Sequence, residues 1–180
     1  MRKLAVLTGL FLLIPLALAN VGCEEGPATK AELDAIDAIR RIHGHVKTGE
    51  GGHALSVALS GPTIRDKDLV PLEQFHDLSF LSLEGAPITD EGLAHLSGLN
   101  ALKHLSLRGT KITDAGLAHL EGLASLEEVD LEGLPITDAA MPHLAAVKSL
   151  RKVYVGPGGP TSAGIDYLKG ANPLAHVFQR

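Results

Sequence analysis

The 180-residue chain has no tryptophan, a single cysteine and only 3% aromatic residues. So few rings exclude a core built around large aromatic side chains, and a lone cysteine excludes an internal disulfide. Basic residues are also outnumbered, 16 Lys and Arg against 21 Asp and Glu, and they form no basic block. Since DNA- and RNA-binding proteins carry a Lys/Arg-rich face, we expect no nucleic-acid partner.

Residues 1–22 have the pattern of a signal peptide, a short basic start followed by an apolar run from Leu4 to Ala19. That run is short for a membrane-spanning helix. Two endings compete. Cleavage after Ala19 would release a soluble secreted or periplasmic protein. Alternatively, Asn20-Val21-Gly22-Cys23 resembles the lipobox of bacterial lipoproteins, and lipidation of Cys23 would then anchor the protein to a membrane. Both endings predict export; we expect the cell envelope as the location, with membrane contact only through a lipidated Cys23, and a soluble secreted or periplasmic protein as the alternative.

A 24-residue repeat of aliphatic residues dominates the rest of the chain, as in Leu81, Leu105 and Val129. Five repeats cover 54–77, 78–101, 102–125, 126–149 and 150–173, and the strand of a sixth follows at Leu174–Phe178. Within a repeat, apolar residues two apart indicate a strand, and residues three apart, such as Leu117 and Leu120, indicate a helix face. Each repeat therefore predicts a strand, a turn and a short helix, whose leucines are buried only when repeats stack.

The residues from Leu102 to Leu117 resemble the leucine-rich-repeat consensus L-x-x-L-x-L-x-x-N-x-I. They look most like the subclass found in F-box-associated and cysteine-containing repeats, which is also abundant in exported bacterial proteins. The resemblance covers residues 54–178 and implies an α/β fold, a right-handed solenoid with a curved parallel sheet inside and short helices outside. The usual Asn of the turn is replaced here by Ala86, Thr110 and Leu134, of which only Thr110 can bond the loop backbone.

Residues 29–53 are predicted to cap the N-terminal end of the solenoid. Thr29 and Glu32 form a capping-box pattern, and an apolar stripe follows until Gly44, so 29–43 is predicted to be a helix packed on the first repeat. Residues 44–52 are predicted to be a polar connection, and 23–28 a short linker. We expect no dedicated C-terminal cap, which leaves the last strand with an exposed edge.

Two rows of polar residues recur at the repeat period. His95, His119 and His143 share a helical slot, where neighbouring imidazoles lie too far apart to converge on one metal ion. Asp66, Asp90, Asp114 and Asp138 each lie at a helix start, so we expect them to act as N-caps, with Thr113 as the alternative to Asp114 in its repeat. Neither row predicts a metal site, and we find no motif for a catalytic residue or a cofactor.

Strand positions between the leucines should face the concave surface of the solenoid. That surface is the predicted binding site, and Glu128, Asp130 and Glu132 give it an acidic patch on one strand. Its candidate contact residues are Phe80, His104, Arg108, Glu128, Asp130, Glu132, Lys152 and Tyr154.

The sequence thus favours a non-enzymatic, monomeric module that binds a protein partner at the bacterial cell envelope. The alternative is a structural envelope protein that self-associates through the edge of its solenoid.

Overall fold

A computed structural model describes residues 26–180 of the chain. The predicted signal peptide at 1–22 and the predicted lipidation site Cys23 lie outside the described residues. Among residues 26–180, no helix combines the length and the apolar character needed to cross a bilayer.

Seven strands form one sheet and follow one another across it in chain order. The first pair is antiparallel and every later pair is parallel. The strands are β1 (His45–Thr48), β2 (Ala54–Ala58), β3 (Phe80–Ser82), β4 (His104–Ser106), β5 (Glu128–Leu131), β6 (Lys152–Val155) and β7 (His176–Gln179).

Short helices connect the parallel strands from β2 onward, and two further helices precede β2. The α-helices are α1 (Lys30–Arg41), α2 (Asp90–Leu93), α3 (Met141–Ala146) and α4 (Ser162–Ala171). The remaining helical turns are 3₁₀ helices at Glu50–Gly52, Asp66–Gln74, Ala94–Leu96, Ala115–Leu120 and Asp138–Ala140. A strand, a turn and a short helix thus repeat along the chain, which makes the protein an α/β solenoid of the leucine-rich-repeat type.

The register of the strands confirms that the repeats stack. Leu81 pairs with Leu105 across β3 and β4, and Leu105 pairs with Val129 across β4 and β5. All three side chains are buried, and they belong to one continuous aliphatic core between the sheet and the helices. Thr110 is also buried in the turn, where its Oγ1 donates to the Leu107 carbonyl at 2.7 Å.

The N-terminal end of the stack has the predicted helix but also a strand that the sequence analysis did not predict. Helix α1 forms where the sequence predicts a capping helix, and Ile36 and Ile39 on its inner face are buried. The predicted polar connection at 44–52, however, contains strand β1, which pairs antiparallel with β2 and supplies a first edge to the sheet. The prediction missed this strand because its residues, His-Val-Lys-Thr, are mostly polar and exposed.

Only half of the predicted capping box is present. The Thr29 hydroxyl accepts a hydrogen bond from the Glu32 N–H at 3.2 Å, as a capping residue should. The Glu32 carboxylate does not return to the helix start. It is buried, and it accepts from the Ala54 N–H at 3.0 Å and lies 3.0 Å from Nδ1 of His53. Glu32 therefore fastens the cap to the first repeat.

His53 lies in the same polar cluster as Glu32. Its Nε2 lies 2.6 Å from the Gly26 carbonyl oxygen, and its Nδ1 lies 3.3 Å from the Asp77 carboxylate. The hydrogen bond to Gly26, supported by the Glu32 and Asp77 carboxylates, raises the pKa of His53 above its usual value, although burial opposes this.

The row of aspartates links successive repeats, so the expectation that these residues act as side-chain N-caps is wrong. Asp90 accepts from both the N–H and the Oγ1 of Thr113 in the next repeat, at 2.8 Å and 2.6 Å. The same two bonds join every pair of this Asp–Thr ladder, which consists of Asp66–Thr89, Asp90–Thr113, Asp114–Thr137 and Asp138–Thr161.

At three of the four rungs a glycine near the helix start, Gly92, Gly116 or Gly164, leaves room for this ladder, and the corresponding residue at the Asp114–Thr137 rung is Ala140. A Cβ on Gly116 would collide with the Asp90 carboxylate, and one on Gly164 would collide with that of Asp138. Threonine caps two of these helices, since the hydroxyls of Thr137 and Thr161 accept from the first turns of their helices, whereas the helices that begin at Asp90 and Ala115 have no side-chain cap.

Candidate binding face

One side of the sheet is covered by the core and the helices, and the other is exposed. We call the exposed side, formed by alternate residues of the strands, the open sheet face. Six of the eight residues that the sequence predicts as binding contacts lie on its strands, and the other two, Arg108 and Glu132, lie just beyond the ends of β4 and β5. The eight residues form three rows, which contain Phe80, His104, Glu128 and Lys152, then Asp130 and Tyr154, then Arg108 and Glu132.

The first row changes from aromatic to charged along the stack. The rings of Phe80 and His104 are tilted by 40° with their centroids 6.4 Å apart. Oε2 of Glu128 lies 3.8 Å from Nδ1 of His104 and 3.2 Å from Nζ of Lys152. The Glu128 carboxylate accepts a hydrogen bond from this ammonium group and raises the pKa of Lys152 above its usual value.

The third row is an exposed charge network around Arg108. Its guanidinium lies 3.5 Å from the Glu132 carboxylate on one side and 3.8 Å from the Glu84 carboxylate on the other. The Glu132 N–H donates to Oδ1 of Asp130 at 2.9 Å. Exposed pairs at these separations contribute little to stability, which leaves their side chains free to exchange partners.

The last strand adds an aromatic cluster that the sequence prediction missed. The rings of Tyr154 and Phe178 stack with centroids 5.2 Å apart and an angle of 25° between their planes. The Arg180 guanidinium also lies over the Tyr154 ring, 4.2 Å from its centroid. Continuing the 24-residue register from Tyr154 leads directly to Phe178 and would have found this contact.

The histidine row lies on the helical side, away from the open sheet face. Nδ1 of His95 is 2.6 Å from the Glu73 carboxylate, and Nδ1 of His143 is 2.6 Å from that of Glu121. The position corresponding to these glutamates before His119 is Ser97. Within residues 26–180, no three His, Cys, Asp or Glu side chains form a group that could hold a metal ion.

Comparison with known proteins gives structural neighbours only. No family model matches the chain, and no curated protein matches it significantly. Internalin C2 from Listeria monocytogenes is 15% identical over 79% of this chain and 80% of its own, with a TM-score of 0.45. The PEPR1–AtPEP1 structure is 15% identical over 74% of this chain but only 19% of its own, with a TM-score of 0.41. At these scores the fold assignment depends on the strand register and the repeat described above.

Proposed function

We propose that this chain is a non-enzymatic protein-binding module of the cell envelope, and that the open sheet face is its binding surface. The observation that carries the proposal is the alignment of unlike side chains in rows on an exposed sheet. Phe80 and Phe178 are 41% and 42% exposed on this face, and charged residues of both signs lie between them. Aromatic residues, including Phe, and arginine are enriched at protein interfaces relative to the rest of the surface.

The shape of the face favours an extended macromolecular partner over a small ligand. Side chains in each row follow the strand spacing of about 4.8 Å, so a partner segment lying across the strands meets a new side chain at each step. Export and a membrane anchor at Cys23 belong to the same proposal and depend on the N-terminal sequence. Mass spectrometry of the mature N-terminus distinguishes a lipidated Cys23 from cleavage after Ala19.

Site-directed photocrosslinking tests the binding surface. A photoreactive amino acid at Ser82 or Ser106 lies on the open sheet face, and one at His119 lies on the exposed helical side. In envelope preparations, we expect a discrete protein crosslink from the two strand positions that Phe80→Ala weakens. Crosslinks that form only from His119 would contradict the proposal.

Self-association is the second candidate, because β7 is the outermost strand on its side of the described sheet. The N–H of His176 is bonded back to β6, so by strand alternation the N–H of Gln179 points away from the sheet. Gln179→Pro would remove this outward donor. Analytical ultracentrifugation should show loss of oligomer in this variant if the edge assembles. A concentration-independent monomer in the unsubstituted chain would instead exclude assembly.

A further inference from the structure

The open sheet face contains a defined pocket between β3 and β5. Its volume is about 190 Å³, and it is lined by residues of β3, β4 and β5. The lining combines an aromatic side with an acidic side, in the residues Phe80, His104, Leu105, Ser106, Glu128 and Asp130.

The aromatic side of the pocket is suited to a cation. Phe80 is 41% exposed and its ring stands beside that of His104. Faces of aromatic rings attract cations, and arginine is the cation found there most often. The same face already shows this contact, since the Arg180 guanidinium lies 4.2 Å from the Tyr154 ring centroid. Among residues 26–180, no corresponding cation lies over Phe80.

One carboxylate oxygen on the acidic side of the pocket has no hydrogen-bond partner within residues 26–180. Glu128 is already shared between Lys152 and His104. Asp130 uses Oδ1 to accept the Glu132 N–H, whereas its Oδ2 has no hydrogen bond or ion pair within the described part of the chain. Two carboxylates in one small pocket also disfavour an anionic or purely apolar guest, because either would leave desolvated charge without a partner.

We propose that this pocket receives an arginine side chain of the protein partner. The guanidinium lies against the Phe80 ring and donates to Asp130. Guanidinium suits both sides of the pocket, since it is planar, stacks on rings and donates in a fork that matches a carboxylate. The inference depends on the proposed binding function and adds to it the chemistry by which the partner is recognised.

An NMR titration of the purified chain with N-acetyl-arginine methylamide tests the pocket directly, without the partner. We expect shifts concentrated at the backbone amides of Phe80, His104, Ser106 and Asp130. The citrulline analogue, which has nearly the same shape but no charge, should leave these amides unshifted. Phe80→Leu and Asp130→Asn should each weaken binding by about two- to fivefold.

Matched controls keep the charge and aromatic effects separate. Glu84→Gln removes an exposed carboxylate from the same face outside the pocket, and Tyr167→Leu removes a 54% exposed ring on α4. Both should bind the arginine probe as the unsubstituted chain does. Shifts that are equal for the two probes, or equal losses in the control variants, would overturn the arginine pocket.

The NMR titration and the photocrosslinking experiment can fail separately, so they distinguish the arginine pocket from the binding face. If the probe fails to shift the pocket amides while Phe80→Ala still weakens partner crosslinking, the arginine proposal is wrong and the binding function stands. If the probe binds in the pocket but strand positions never crosslink to a protein, the binding function fails and the pocket is a cation site only.

Discussion

Removing one carboxylate from the Asp–Thr ladder should destabilise the whole solenoid. Asp90 accepts two hydrogen bonds from Thr113, at 2.8 Å to the N–H and 2.6 Å to Oγ1. A hydrogen bond to a charged group contributes about 1.5–3 kcal/mol when its partner cannot turn to water. The pair is partly exposed, so water replaces part of each bond, and we expect Asp90→Ala to lower the free energy of unfolding by about 2 kcal/mol.

Urea unfolding followed by circular dichroism measures this loss. In a domain of this length, about 2 kcal/mol corresponds to a fall in melting temperature of about 4–8 °C. Thr113→Val removes the hydroxyl and retains the backbone donor, so it should cost about 1 kcal/mol. The double variant should lose no more than Asp90→Ala alone, because the hydroxyl no longer has a carboxylate to bond.

Asp166→Ala is the control, since Asp166 is exposed on α4 and outside the ladder. Its unfolding midpoint should stay near that of the unsubstituted chain. The reasoning would be refuted by an Asp90→Ala variant as stable as this control. Full additivity of Asp90→Ala and Thr113→Val would also refute it, since it would show that the two groups do not interact.

Three further perturbations test the core, the turn and the cap by the same unfolding assay. Leu105→Ala should cost about 2–5 kcal/mol, because it opens a cavity in a fully packed rung, whereas Leu33→Ala, at a 48% exposed position, should cost far less. Thr110→Val should cost about 1 kcal/mol through its lost bond to the turn carbonyl, and unchanged stability would contradict that role. The pKa of His53 is raised in the folded chain, so its contribution to stability is fully present below the ordinary value of 6.5 and is lost as pH rises through the folded pKa. The stability difference between the unsubstituted chain and His53→Gln should therefore shrink as the pH rises above 6.5 and through the raised pKa of His53, and a constant difference would exclude this linkage.

The spacing of aliphatic residues was sufficient to predict the repeat and its strand register. Leu81, Leu105 and Val129 lie on adjacent strands because a fixed 24-residue interval returns each of them to the same place in successive coils. The same interval predicts which side chains share the open sheet face. It also extends to Phe178, which was missed because the rows of predicted contact residues stopped at Tyr154, although the repeat itself had been followed to a sixth strand.

Polar partners were harder to predict, because a repeat fixes where a side chain lies and leaves open which neighbour it bonds. Asp90 stands at a helix start, where a carboxylate can cap its own helix or reach the next coil, and it does the second. The recurrence of Thr-Asp pairs, as in Thr113-Asp114 and Thr137-Asp138, is the sequence signal for the ladder. Glu32 shows the same ambiguity, since its capping-box position does not reveal the distant donors at His53 and Ala54.

The Asp–Thr ladder and the open sheet face differ in how completely their polar groups are hydrogen-bonded within the chain. This difference supports the proposal that a partner binds at the sheet. Every aspartate of the ladder uses both carboxylate oxygens on the next repeat, and the last pair, Asp138–Thr161, persists where the Gly-Pro segment at 156–160 replaces a regular turn. These bonds join the fourth repeat to the fifth across the irregular turn, and the pairing of β7 with β6 places the Phe178 ring on Tyr154. On the open sheet face, by contrast, Asp130 retains an unbonded oxygen and Phe80 a bare ring. A partner gains most binding energy from groups that have no bond within the chain. We therefore propose that the strands bind the partner, while the Asp–Thr ladder keeps successive repeats aligned.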